Sequence, residues 1–375
     1  MGASTRAVGA AAMRAGFRPL CLDMFADRDL SKHISVRRVD NYPDGLMDCL
    51  QSIPPLPLIY VGGLENHQGV LKVAEECHEL WGNNAATVAK VRDLHQLNQV
   101  LRIAQAAVPE WINSDQPPER DGSWLIRPHA GCGGRGITRW TAEQENSPVR
   151  REPHYFQRYQ SGQAYSATFI ADPNVGDIRF VGVTRQLIGR PASNAAEFQW
   201  CGNIAPATLS VQLEHKLRRI GNIMKWKFEL TGLFGVDFLV TDQEQIYVTD
   251  INPRPPASLE LLEFVTGQAL FESHARCYRE EVEPSSWTHE PSSEFYGRAI
   301  LYARKAFTLA ADLTERISDY RDVPVLADIP APGQQFQAGE PVCSVYAHAG
   351  TARSVEEKLD CHLHDIEDEI LGDNG

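Results

Sequence analysis

Asp237 and Asp250 are the two residues of this sequence best placed to do chemistry together. Each lies in a short apolar run, residues 233–241 and 246–252, and the runs are separated by the polar turn Asp242-Gln243-Glu244-Gln245. A hairpin closed at that turn sets Asp237 opposite Asp250 and Gly235 opposite Asn252. Side chains alternate along a strand, so the two carboxylates share a face, roughly 5 Å apart at Cβ, and repel unless something neutralises them. A divalent cation would do so. Two carboxylates and the amide oxygen of Asn252 are hard oxygen donors suited to Mg²⁺, which keeps waters and takes further ligands from phosphates. Arg254, two residues on, lies on the same side and can hold a phosphate or a carboxylate in bidentate fashion. Solvated hairpin faces are common, but the flanking Val236, Phe238 and Leu239 argue for a buried setting rather than an open edge.

The second candidate is the glycine loop Gly131-Cys132-Gly133-Gly134-Arg135-Gly136, between an apolar run at 124–127 and an extended-looking stretch at 137–140. A phosphate loop of the Walker type needs Gly-Lys-Ser/Thr and a following helix, and a dinucleotide fingerprint also needs a helix. Neither is present. Strand, glycine loop, strand describes a flap whose backbone N–H groups can close over phosphates, with Arg127 and Arg135 adding charge.

Composition bounds what such a site can serve. The 375 residues carry 36 Lys plus Arg against 49 Asp plus Glu, a net charge of -13, which argues against wrapping nucleic acid or lying on an anionic membrane. With 43 % hydrophobic residues the chain folds, and its length calls for two or three packed units. The 8 Cys form no Cys-x-x-Cys pair, and the 12 His show no metal-ligand spacing. The cysteines read as reduced thiols of a cytoplasmic protein, and His362 and His364 near the terminus as solvated side chains. Neither a membrane span nor a signal peptide is expected.

The elements that must position these residues can be outlined. Residues 1–23 read as a glycine turn, an Ala-rich helix and a strand, the second half of a Rossmann-like unit whose first strand is missing, so the start is expected further upstream. Short strands at 34–39 and 57–61 and a helix over 69–81 continue it. One helical stripe spans 86–107. A polar loop over 113–122 follows, then strands at 155–159, 165–171 and 178–188, and a helix over 211–230 with Gly232 as its stop. Another helix begins near Ser258. A strand-like region at 323–346 and a helix from Val355 close the chain.

Together the stretches 124–137, 155–170 and 232–258 resemble the ATP-grasp superfamily, with Asp250-Ile251-Asn252-Pro253-Arg254 the most specific part. The resemblance implies an α/β (α+β) ATP-grasp fold: a Rossmann-like pre-ATP-grasp domain over 1–85, an ATP-grasp domain over 86–275 and a small C-terminal α+β domain over 276–375. It implies that Asp237, Asp250 and Asn252 hold one or two Mg²⁺, for which Mn²⁺ can substitute, that Arg254 and Asn252 act at the transferred phosphate, and that Gln157, Arg158 and Tyr159 line adenine. The flap glycines with Arg127 and Arg135 would bind ATP phosphates. A further phosphate-binding cation is expected at Lys90, with Arg92 the alternative. The family usually has Lys where this chain has Arg127, and often an acid where it has Gln157.

The resemblance implies an ADP-forming carboxylate-amine ligase that makes an amide or peptide bond through an acyl phosphate, with a small acid and an amine as substrates; a homodimer is the assembly expected on general frequency alone. Strings at 60–66, 183–187 and 252–263 resemble a bacterial ATP-grasp group associated with one-carbon cofactor biosynthesis of the tetrahydromethanopterin or methanofuran type. Within the last string Glu260 and Glu263 read as solvated helix residues. Two other classes stay open: a nucleotide-binding regulatory protein without turnover, and a redox enzyme using a dinucleotide at the N-terminal turn, though that turn lacks Gly-x-Gly-x-x-Gly.

Overall fold

The computed structural model describes residues 1–143, 152–279, 281–287 and 292–372. Helix Arg6–Arg14 leads to strand Leu20–Asp23, which pairs in parallel with Ser35–Arg38. Residues 1 and 2 lie alongside this pair: Gly2 bridges Asp23 in parallel, and the Met1 carbonyl accepts from the Val61 amide. Strands Pro57–Leu58 and Glu79–Leu80 pair in parallel, and helices Gly45–Ser52 and Gln68–Cys77 pack over a core of Leu46, Leu50, Leu64, Leu71 and Ala74.

The stripe over 86–107 is two helices, Ala85–Arg92 and Leu94–Ile103. Asp93 makes the break. Its carboxylate accepts the His95 and Gln96 backbone N–H groups at 2.8 and 3.1 Å, so it starts a second helix instead of continuing the first. The long helix Val211–Phe228 ends on Glu229, held at φ 56, and not at Gly232. Strand Trp200–Ala205, in a stretch assigned no element from the sequence, joins the central sheet.

Two sheets carry the site. The smaller has strands Trp111–Asn113, His154–Arg158, Asp121–Pro128 and Thr138–Thr141, in that spatial order. The larger has eight strands and starts at its edge with Ile246–Asn252, Gly232–Val240, Gln163–Ala171 and Arg179–Ile188. It continues through Trp200–Ala205, Phe295–Tyr302, Pro341–Ala349 and Leu326–Ala327. Strands after residue 276 therefore extend the central sheet, and helix Ala352–Leu371 covers them with Val355, Leu359, Leu363 and Ile366.

Glu260 and Glu263 are buried, contrary to the solvated reading. Arg6 grips both oxygens of Glu260 at 3.0 and 2.8 Å, and Arg14 holds Glu263 through Nε and a terminal nitrogen at 2.9 and 2.7 Å. These pairs tie the first helix to helix Leu259–Thr266 across some 250 residues of chain. Burial alone would raise the Glu260 carboxyl, but Arg6, then Arg14 and the Tyr346 hydroxyl, bring it down to about 2. At Glu263 burial outweighs Arg14 and the pKa rises. A depressed acid stabilises the fold above its unfolded value and loses that contribution as pH falls toward the folded one. Between pH 5 and pH 2 the protein should therefore lose about 3 kcal/mol through Glu260. Urea titrations across that range should show a shallower decline in Glu260→Gln than in the unsubstituted protein.

Candidate functional site

The hairpin has the register its turn implies: Asp237 pairs with Asp250 and Gly235 with Asn252, a bulge following between Asp237 and Phe238. Burial, then the Asp250 charge, push the Asp237 carboxyl up to about 6, against hydrogen bonds from Ser166 and Asn252 that pull it down. Asn252 Nδ2 donates to Asp237 Oδ2 at 2.9 Å, and Asn252 Oδ1 accepts from Arg254 at 2.8 Å. Two opposed carboxylates, one of them held above its ordinary range, fit a divalent cation that prefers oxygen. For Asn252 to join them as a ligand its amide must turn, oxygen toward Asp237.

A cavity of about 940 Å³ opens over this hairpin. Asp237, Asp250, Asn252 and Arg254 line it, as do Arg127, Gly131, Gly133, Gly134, Arg135, Gln157, Arg158 and Tyr159. Gly136 and Lys90 do not line it. The flap between strands Asp121–Pro128 and Thr138–Thr141 lies closed across the cavity. The Gly133 carbonyl accepts from the Trp200 amide at 2.9 Å, and a Cβ on Gly134, itself at φ +73, would stand 2.0 Å from the Phe198 carbonyl oxygen. Only glycine allows that approach. Arg135 is exposed and its side chain makes no hydrogen bond among the described residues, so its charge is available.

The two unusual positions belong together. Arg127 donates to Gln157 Oε1 at 2.7 Å and to the Thr249 carbonyl at 3.3 Å, and lies against the Tyr155 ring. An acid at position 157 would pair the guanidinium and cancel its charge; the neutral amide orients it and leaves the charge in place. Arg139, which the sequence did not single out, packs on Tyr159 with its guanidinium carbon 4.0 Å from the ring centroid and pairs with Glu197 at 2.8 Å.

Lys90 pairs with Glu229 at 3.1 Å on the outside of the molecule. Arg92 is the cation turned to the site. It contacts Asp250 at 3.2 Å and the Gly131 carbonyl at 3.1 Å, and hydrogen-bonds Asn66, which itself reaches Gly131 at 3.2 Å. The difference is one of helix face: two residues along a helix point in nearly opposite directions. A charged hydrogen bond contributes about 1.5–3 kcal/mol, so Arg92→Ala should let trypsin cut the flap at Arg135 about tenfold faster or more. Lys90→Ala should leave that rate unchanged.

Glu65 is the other residue missed. It follows Gly62-Gly63-Leu64, is 4 % exposed, and pairs with Arg254 at 3.0 Å. Arg254, the Cys132 thiol and Arg92 lie around it, and Arg254 holds the Glu65 carboxyl below its usual range despite burial. Among the described residues Glu65 Oε2 and Arg254 Nε are both buried without a hydrogen-bond partner, so the pair keeps one acceptor and one donor free beside the cavity. The stretch 60–66 stood out in the sequence, but nothing local marks which of its residues faces Arg254.

A family model described as an ATP-grasp domain matches residues 91–258. The chain is similar to an uncharacterized protein of Methanocaldococcus jannaschii, 26 % identical over 227 residues, 60 % of this chain and 50 % of that protein. It thus spans about half the length of that curated relative. It is also similar to the carbamoyl phosphate synthase large chain of Neisseria gonorrhoeae, 32 % identical over 75 residues, 20 % of this chain and 7 % of that one. Among solved structures, the L-amino acid ligase of Bacillus licheniformis superposes with a TM-score of 0.68 at 13 % identity, covering 96 % of this chain and 94 % of the ligase. The biotin carboxylase domain of Hydrogenobacter thermophilus 2-oxoglutarate carboxylase, in complex with MgADP and bicarbonate, does so with 0.70 at 14 %, covering 95 % and 87 %. At these identities the likeness shows a shared fold. Among the described residues no helix is long and apolar enough to cross a membrane.

Proposed function

We propose that this chain, whose residues 91–258 match a family model described as an ATP-grasp domain, is an ATP-dependent, ADP-forming carboxylate-amine ligase that makes an amide bond through an acyl phosphate. The observation that carries the reading is the opposed pair Asp237 and Asp250, ending in Arg254, inside a cavity roofed by a glycine flap. Asp237, Asp250 and, once its amide turns, Asn252 would hold Mg²⁺ or Mn²⁺; the metal and ATP supply charge neutralisation and a transferable phosphoryl group. Arg254 places a fixed cation at the end of the hairpin, where a phosphoryl group or an acid would lie, and Glu65 fixes its orientation. Arg127, held by Gln157, and Arg135 on the flap add positive charge. Gly131 to Gly134 cover the cavity and exclude water from a reactive acyl group.

The units 1–85, 86–275 and 276–375 are proposed as pre-ATP-grasp, ATP-grasp and C-terminal domains, and a role in one-carbon cofactor biosynthesis as the setting. The eight free cysteines support a reducing, cytoplasmic location. ADP release in the presence of ATP, Mg²⁺ and a panel of carboxylic acids and amines is the test, with amide formation read by mass spectrometry; no acid-dependent ADP release would sink the proposal. One observation favours a nucleotide-binding protein without turnover instead: Arg127 already spends hydrogen bonds on Gln157 and Thr249. ATP protection against melting with no ADP formed would mark that case.

A further inference from the structure

Where the first helix meets the C-terminal strands, a second cluster of charge reaches the cavity through Asp27, Asp328 and Arg298. Asp23, Asp27, Asp29, Asp328, Glu260 and Glu263 stand there against Arg6, Arg14 and Arg298, six carboxylates to three guanidinium groups. All but one of these acids are accounted for. Asp23 accepts the Thr5 amide and hydroxyl at 2.6 and 2.7 Å and the Phe25 and Ala26 amides at 2.9 and 2.7 Å. Asp29 accepts the Ile329 and Asp328 amides. Asp328 takes Arg6 on one oxygen, and Arg298 at 2.7 Å and Ser344 at 2.6 Å on the other. Glu260 and Glu263 are held by Arg6 and Arg14.

Asp27 has no such partner. It precedes the short helix Arg28–His33 without capping it, its side chain accepts no hydrogen bond among the described residues, it is 6 % exposed, and it lines the cavity. Arg6, whose charge acts on Asp27, is committed to Glu260, Asp328 and Tyr346. Burial, followed by Asp328, Asp29 and Asp23, raises the Asp27 carboxyl well above its ordinary range. An anion in that position is costly unless a cation arrives with the ligand.

The chemistry of that cation can be narrowed. A divalent metal needs several oxygen ligands, and the neighbouring carboxylates already have theirs engaged. An ammonium group needs only acceptors for its N–H donors. The N-terminal segments that line the same cavity as Asp27 bring mostly apolar side chains to it, Ala7, Val8, Met24 and Phe25, with Ser4 the polar exception. We propose that Asp27 and this apolar wall form the subsite for the amine substrate, which binds as a primary ammonium on an apolar stem. That the ammonium belongs to the amine joined by the enzyme rests on the ligase reading; that the cavity takes an alkylammonium at Asp27 does not.

Calorimetry on the full chain with n-butylammonium, and with n-butanol as the neutral isostere, tests the subsite without turnover. The unsubstituted protein should bind n-butylammonium at least tenfold more tightly than n-butanol, and Asp27→Asn should lose that tenfold preference while still binding ATP. Equal binding of the two probes, or undiminished n-butylammonium binding by Asp27→Asn, overturns the proposal. Should Asp27→Asn not fold, Ala7→Phe, which fills the apolar wall, is expected to cut n-butylammonium binding tenfold, and no loss there overturns the proposal equally. Charge-selective binding in a protein that releases no ADP would sink the ligase reading and leave the subsite standing. Turnover in Asp27→Asn with an unchanged KM for the amine would do the reverse.

Discussion

Asp250→Asn should lower acid-dependent ADP release by about 10²- to 10³-fold, the loss expected when a preorganised charge at a phosphoryl-transfer site is removed. The same substitution should not unfold the protein. Asp250 faces Asp237 across the hairpin as a like-charge pair, so removing one charge relieves repulsion at a half-buried position. The melting temperature should stay level or rise, and added Mg²⁺ should no longer raise it. Asp237→Asn is expected to behave alike in turnover. Turnover within about threefold of the unsubstituted protein in either variant would remove the hairpin from the mechanism. Arg92 adds a second reading of the same variant. It bridges Asp250 to the flap carbonyl of Gly131, so Asp250→Asn should also loosen the flap and speed trypsin cleavage at Arg135.

Arg254→Met should cost the fold about 3–5 kcal/mol, measured by urea unfolding, because it strands a buried carboxylate. Glu65 has a side-chain exposure of 3 %, Arg254 one of 9 %, and Arg254 is the guanidinium that pairs with it. The double variant Glu65→Gln/Arg254→Met should regain much of that stability, since the uncompensated charge is then absent, while remaining without ADP release. A double variant no more stable than the sum of its parts would show that Glu65 is not the origin of the cost. Lysine at 254 should restore part of the stability and little of the activity, as a point charge cannot bond Glu65, Asn252 and a phosphoryl group with one rigid fork.

The hairpin was legible because everything that sets it is local. The polar turn 242–245 fixes the register, alternation fixes the face, and the chain separation of Asp237 and Asp250 is short. The flap was legible for the same reason: its glycines are contiguous and its flanking strands adjoin it. The helix stripe over 86–107 misled at Asp93, where the apolar period continues although a carboxylate caps a new helix. Glu260 and Glu263 misled more instructively. On their own helix they look like solvated acids, and their burial is made tolerable chiefly by Arg6 and Arg14, about 250 residues away.

The sequence by itself determined the acidic hairpin, the glycine flap, the arginines flanking both, and the α/β alternation that carries them. Tertiary structure decided which partners these groups meet. Arg92 instead of Lys90 reaches Asp250 across 158 residues, Glu65 reaches Arg254 across 189, and Asp27 lines the cavity with no side-chain hydrogen bond among the described residues. The physical reason is the range of the rules involved. Turn geometry and side-chain alternation act over a few residues and are written in order along the chain, whereas burial and charge pairing depend on which surfaces packing brings together.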